Sequence, residues 1–315
     1  MSFSGEMKEE LLKVAVSARH CQIAELAAIY QFLGRIKTDE YGNTEIYIQT
    51  ENEKVAARFY SLWKKVFKVS PMLTVRRMHQ QTEGLIYLVR ASALQEAKEF
   101  FMLLHLERLF GSGEEDFFVE ELLIKNSCCK RAFLRGAFLV IGSVSDPQKG
   151  YHLELVCHNM TQANKLITIL QSFGIQAKYV LRKKYYVIYL KDGEQISDFL
   201  NVISAHMAMM EFENARIVKD VRNRVNRKFN CDMANINKMV NAASKQMQAI
   251  QILKDKGDFD SLPDSLKEIA RLREEYPESS LEELGKYSDP PIGKSGVNHR
   301  LRKLVDMAKE YGEFE

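Results

Sequence analysis

Residues 21–34 read CQIAELAAIYQFLG, and residues 129–142 read CKRAFLRGAFLVIG. Both stretches begin at Cys, both carry Leu at the same place (Leu26 and Leu134), and both end at Gly (Gly34 and Gly142). The register holds downstream. Residues 45–49 (EIYIQ) meet 152–156 (HLELV), and Asn52 to Val66 meets Asn159 to Phe173. Self-similarity at a near-constant offset marks a duplicated unit, so two halves of one plan fill the first two-thirds of the chain.

Each half reads in the same order. An apolar helix with small residues comes first, with Ala24, Ala27 and Ala28 in one half and Ala132, Gly136 and Ala137 in the other. Small side chains let another backbone approach, so the two helices are expected to pack on each other about a pseudo-twofold axis. Gly34 and Gly142 suit helix ends. Alternating strands follow, around turns at Tyr41-Gly42-Asn43 and from Asp146-Pro147 to Gly150. An amphipathic helix is expected at 52–67 and at 159–173. Strand pairs are expected at 72–78 with 84–90 and at 176–182 with 184–190, and closing helices at 93–109 and 196–213. This pattern predicts an α+β fold, a meander of four antiparallel strands per half with helices on one face.

Composition bounds the function. The 315 residues are 46% hydrophobic and 28% charged with a formal net charge of +3, the balance of a globular protein. The local placement of positive charge therefore matters more than its sum. The five cysteines (Cys21, Cys128, Cys129, Cys157, Cys231) form no CxxC pair. They are read as reduced thiols of an intracellular protein. Zinc needs ligands clustered at short spacing, so His20 beside Cys21 is read as local packing and no metal or other cofactor is expected. The acidic amphipathic N-terminus is not a signal peptide, and no apolar stretch is long enough to span a bilayer. A cytoplasmic protein with no membrane partner is expected.

The helix-then-glycine segments resemble the motif of LAGLIDADG homing endonucleases. The resemblance implies two such helices at the interface between halves and two saddle-shaped sheets lying across DNA. In that family an acidic residue immediately before the motif's last Gly binds the catalytic metal. Here those positions hold Leu33 and Ile141. Aliphatic side chains cannot coordinate Mg²⁺ or offset developing phosphate charge, so no catalytic residue is assigned. The nearest acids, Asp39 and Asp146, are read as turn residues. The whole order, with 222–235 (RNRVNRKFNCDMAN) as its local marker, resembles the WhiA family: a degenerate domain of this kind followed by a helix-turn-helix. That resemblance implies a nucleoid-associated transcription regulator, in a family tied to sporulation and cell division.

On this reading the halves span 1–110 and 111–213, a basic helical linker 214–258, and an all-α helix-turn-helix domain 259–315. The linker concentrates Arg216, Lys219, Arg222, Arg224, Arg227 and Lys228 against Asp220, with many Asn residues interleaved. It serves either to contact phosphates or to space the domains, its amides satisfying nearby backbone. Helices are expected at 263–275, from Ser280 to Tyr287, and from Lys294 to Tyr311. In the last, Val297, Leu301, Leu304, Val305 and Ala308 follow helical spacing as the packed side. Lys294, Ser295, Asn298, His299, Arg302 and Lys303 gather in its N-terminal half. Recognition helices present such residues to base edges. Double-stranded DNA is therefore the expected partner, and no small-molecule substrate is expected. Two alternatives remain: a nuclease, which Leu33 and Ile141 argue against, and a scaffold docking another transcription factor or a division protein. Arg76-Arg77 and 181–184 (LRKK) favour DNA over a protein partner.

Overall fold

The computed structural model describes residues 2–38, 44–77, 84–91, 93–104 and 118–311. Asp39, the expected turn at Tyr41-Gly42-Asn43, the end of the helix expected to reach 109 and the proposed boundary at 110/111 lie outside them. The described chain forms two units, residues 1–219 and 220–315.

In the first unit α1 (Phe3–Lys13) and α2 (Arg19–Leu33) precede β1 (Gly34–Thr38), β2 (Thr44–Thr50), α3 (Glu53–Phe67), β3 (Met72–Arg77), β4 (Leu85–Arg90) and α4 (Leu94–Leu103). The order then repeats as α5 (Ser127–Ile141), β5 (Gly142–Val144), β6 (Leu153–Cys157), α6 (Met160–Gln171), β7 (Lys178–Arg182), β8 (Tyr185–Leu190) and α7 (Gly193–Val202). The repeated Asn residues have a physical role. Asn52 Oδ1 accepts from the amides of Lys54 and Val55 at 3.0 and 3.2 Å, and Asn159 Oδ1 from that of Gln162 at 2.9 Å. Each caps the helix that follows its strand pair.

Both sheets are fully antiparallel, but neither is a meander. Their orders are β1-β2-β4-β3 and β5-β6-β8-β7. The helix after the second strand carries the chain past one position, so the third strand lands at the edge and the fourth returns between. Alternation then puts Ile46, Ile48 and Val89, and Leu155, Ile188 and Leu190, on the buried faces. The edge strand β7 is exposed throughout, and β3 nearly so.

The helices α2 and α5 pack against each other, and their small residues Ala24, Ala28, Ala132 and Ala137 are all essentially buried. A Cβ on Gly136 would lie 2.8 Å from the Glu25 carbonyl oxygen and 2.9 Å from the Ala28 Cβ, so glycine permits this approach. Gly34 and Gly142 end their helices in extended conformation, φ −62° and −89°, rather than left-handed. Their requirement is steric: an added Cβ would meet the Tyr30 carbonyl oxygen at 2.4 Å and the Phe138 ring at 2.3 Å.

The closing helix of the second half departs from expectation. It stops at Val202, and Ser204 takes a left-handed φ of 67°. One helix, α8 (His206–Asp255), then runs without interruption to Gly257, whose φ is 82°. No Gly or Pro falls within it, so nothing local ends a helix near residue 213. Its first turns bury Ala208 and Phe212 in the first core. Its last turns bury Ala249, Ile250 and Leu253 in the second, beside residues of α9 (Asp264–Glu275), α10 (Leu281–Tyr287) and α11 (Lys294–Lys309). The stretch read as linker therefore ends inside a core that sequence reading began only at 259.

Candidate nucleic-acid interface

In the second unit the three short helices are positioned by specific contacts. Arg273, buried at the end of α9, donates to the Pro277 and Ser279 carbonyls at 3.2 and 2.8 Å and shapes the first turn. Ser280 and Glu283 form a reciprocal capping box that opens α10. Glu268 accepts from Ser288 Oγ at 2.9 Å and from the Asp289 amide at 2.7 Å, and pairs with Arg300 of α11 at 3.7 Å. The turn closes tightly on Gly285, where an added Cβ would lie 2.1 Å from the Ile292 carbonyl oxygen.

These restraints fix the orientation of α11. Val297, Leu301, Leu304 and Ala308 are buried. Lys294, Ser295, Asn298, His299, Arg302 and Lys303 are all exposed. At about 100° per residue Ser295, His299, Arg302 and Lys303 lie on the half opposite the core, whereas Asn298 stands at its flank and Lys294 on the side of Leu301 and Val305. The helix begins without a side-chain cap, leaving amides at its basic end for an anion. Lys294 and Asn298 also line a groove with Lys238, Gln246 and Ser280.

Along α8, Arg222, Arg224, Arg227 and Lys228 are exposed, as is every residue of 220–242. Helical spacing does not gather them. Arg224 and Arg227 lie opposite a stripe of exposed apolar residues (Val221, Val225, Phe229, Ile236, Val240), Lys228 lies at its flank, and Arg222 within it. Arg216 is instead paired with Glu213 at 2.7 Å.

In the first unit Arg76 and Arg77 are exposed on the edge strand β3, and Lys183-Lys184 form the exposed turn between β7 and β8. Arg182 is engaged by Glu154 at 2.7 Å. Leu33 and Ile141 are the last residues of α2 and α5, half-buried, in equivalent places. Asp146 accepts from the Gln148 amide at 2.9 Å within its turn.

Two features were missed in the sequence. Glu25 of α2 is fully buried and bonded to Arg58 of α3 at 2.7 Å and to Arg135 of α5 at 2.9 Å, a charged triad that joins three helices. The available signal was a single acid and a single buried base on facing apolar helices. The second correction concerns the cysteines read as scattered. His20, Cys21, Cys128 and Cys129 lie in one cluster, their ligand atoms all within 4.8 Å of one another. Burial, then a hydrogen bond and repulsion from Cys128 and the charge and hydrogen bond of Cys129, push the Cys21 thiol up to about 12. Burial alone does the same to Cys157.

Family models match across this architecture. The WhiA N-terminal LAGLIDADG-like domain matches residues 19–105, the WhiA LAGLIDADG-like domain residues 130–222, and the WhiA C-terminal HTH domain residues 225–308. The chain is similar to the "Probable cell division protein WhiA" of Lachnoclostridium phytofermentans, 46% identical with 98% of each chain covered. It is likewise similar to that of Desulforamulus reducens, 43% identical over 98% of this chain and 96% of that one. The crystal structure of full-length DUF199/WhiA from Thermatoga maritima matches with a TM-score of 0.56 at 24% identity, covering 98% of this chain and 99% of that one. The fold is thus two LAGLIDADG-like halves with antiparallel sheets followed by a helical helix-turn-helix domain. No helix among the described residues is long and apolar enough to cross a membrane.

Proposed function

The chain belongs to the WhiA family, and from that premise we propose that it is a non-catalytic, DNA-binding transcription regulator. The observation that carries this reading is the exposed polar and basic face of α11, held outward by a buried apolar face. Asn and Arg make bidentate contacts to adenine and guanine edges in the major groove. Asn298 and Arg302, one helical turn apart, are the base readers in this proposal. Lys294, Ser295, His299 and Lys303 hold the phosphates that set register. Arg224, Arg227 and Lys228 add sequence-independent attraction from α8, with Arg222 contributing from the apolar side. Double-stranded DNA is the partner, and the nucleoid the place of action.

The degenerate domain is an auxiliary surface here, not a nuclease. Leu33 and Ile141 offer no oxygen to a divalent cation at the motif's metal positions. Edge-strand residues such as Arg76 and Arg77 are available for a phosphate backbone. The relatives' name, cell division protein, favours a second reading, in which this domain docks a division protein while DNA binding stays weak. Binding of the full chain to genomic fragments tests the choice. Sequence-selective retention lost on Asn298→Ala with Arg302→Ala supports the regulator, and equal retention by wild type and variant supports the scaffold.

A further inference from the structure

The two central helices do more than pack their flanks. His20 and Cys21 stand in the first turn of α2, and Cys128 and Cys129 in the first turn of α5. A single atom, His20 Nδ1, lies 3.2 Å from Cys129 Sγ, 3.2 Å from Cys21 Sγ and 3.9 Å from Cys128 Sγ. Tetrahedral zinc, with Zn–S of about 2.3 Å and Zn–N of about 2.0–2.1 Å, has ligand–ligand edges of about 3.5–3.8 Å. All the separations here are within 4.8 Å, at most about 1 Å beyond that edge, a difference that rotamer adjustment of cysteine side chains can close.

We propose that His20, Cys21, Cys128 and Cys129 bind one Zn²⁺ ion that clamps the first turns of α2 and α5 across the pseudo-twofold interface. The donor set, three thiolates and one imidazole, is that of a closed structural site. Both pairs sit in the first turns of their helices, and a bound cation would offset the mutual repulsion of the thiolates that it gathers. Two adjacent residues from each helix supply the ligands, so neither half can complete the site alone. Such a clamp joins segments 109 positions apart in the sequence, and its binding free energy adds to the stability of the joined halves.

Cobalt replaces zinc in such sites and reports their geometry. Full-length protein, purified and kept in a thiol-free reductant, is titrated with Co²⁺ alone. One equivalent should give the strong red d–d bands and near-ultraviolet thiolate charge-transfer absorption of tetrahedral sulfur coordination, and one equivalent of Zn²⁺ should abolish them. Cys128→Ser changes an exposed side chain and should weaken Co²⁺ binding at least tenfold while the far-ultraviolet circular dichroism is kept. Absence of tetrahedral bands in the wild type overturns the proposal. So do bands that persist in Cys128→Ser with unchanged intensity and affinity, because they would place the metal elsewhere.

Discussion

Glu25 is the residue whose removal should be felt most. It is fully buried, and its carboxylate answers two guanidiniums, Arg58 and Arg135. Desolvating charges is expensive, and breaking a buried pair from one side leaves a charge uncompensated. Glu25→Gln is therefore expected to cost about 3–5 kcal/mol, seen as a lower urea midpoint for the first unit. Adding Arg135→Met should recover part of the loss, because an apolar replacement removes the stranded charge. An unchanged midpoint for Glu25→Gln would contradict this account of the interface. Gly136→Ala brings a methyl against the Glu25 backbone, where no flexible side-chain end can yield. It should cost about 1–3 kcal/mol in the same experiment.

At the scale of elements, α11 makes, on the proposed reading, two kinds of contact that mutation can tell apart. Asn298→Ala should lose about 1–3 kcal/mol of discrimination at one base position, measured as the ratio of affinities for matched and mismatched sites. Lys303→Ala should weaken all sequences alike and reduce the slope of log affinity against log salt by about one. A Lys303 variant that changed base preference would reverse these roles. Ser280→Ala, which removes the cap of α10, should cost about 1 kcal/mol of stability in the second unit, read from its thermal midpoint. Much at this scale was legible beforehand, because it is local. The helices at 52–67 and 159–173 and the packed side of α11 follow from spacing alone, while the capping role of Asn52 and Asn159 emerged only in the structure. Strand order was not legible, since the choice between a meander and a skipped position depends on how α3 and α6 cross their sheets. The end of α7 at Ser204 carried no Gly or Pro to mark it. The cysteine cluster and the Glu25 triad were hidden for a third reason: their members meet only when two distant helices pack.

At the scale of the whole molecule, the duplicated domain and the helix-turn-helix are separate units that share α8. A ligand surface on each would raise the avidity of the full chain over either surface alone. If Leu33 and Ile141 stand at the motif's metal positions, as proposed, the chain is expected to be inert towards DNA strands, and incubation of supercoiled plasmid with purified protein and Mg²⁺ should yield no nicked form. The central claim is sequence-selective binding through α11. Its most direct test is affinity of the full chain for a selected site and for a scrambled one across a salt series, for wild type and for Asn298→Ala with Arg302→Ala. The account predicts a preference for the selected site that survives rising salt in the wild type, and its collapse in the variant to the weaker, salt-sensitive binding common to any sequence. Equal preference in both proteins would contradict it and move recognition away from α11.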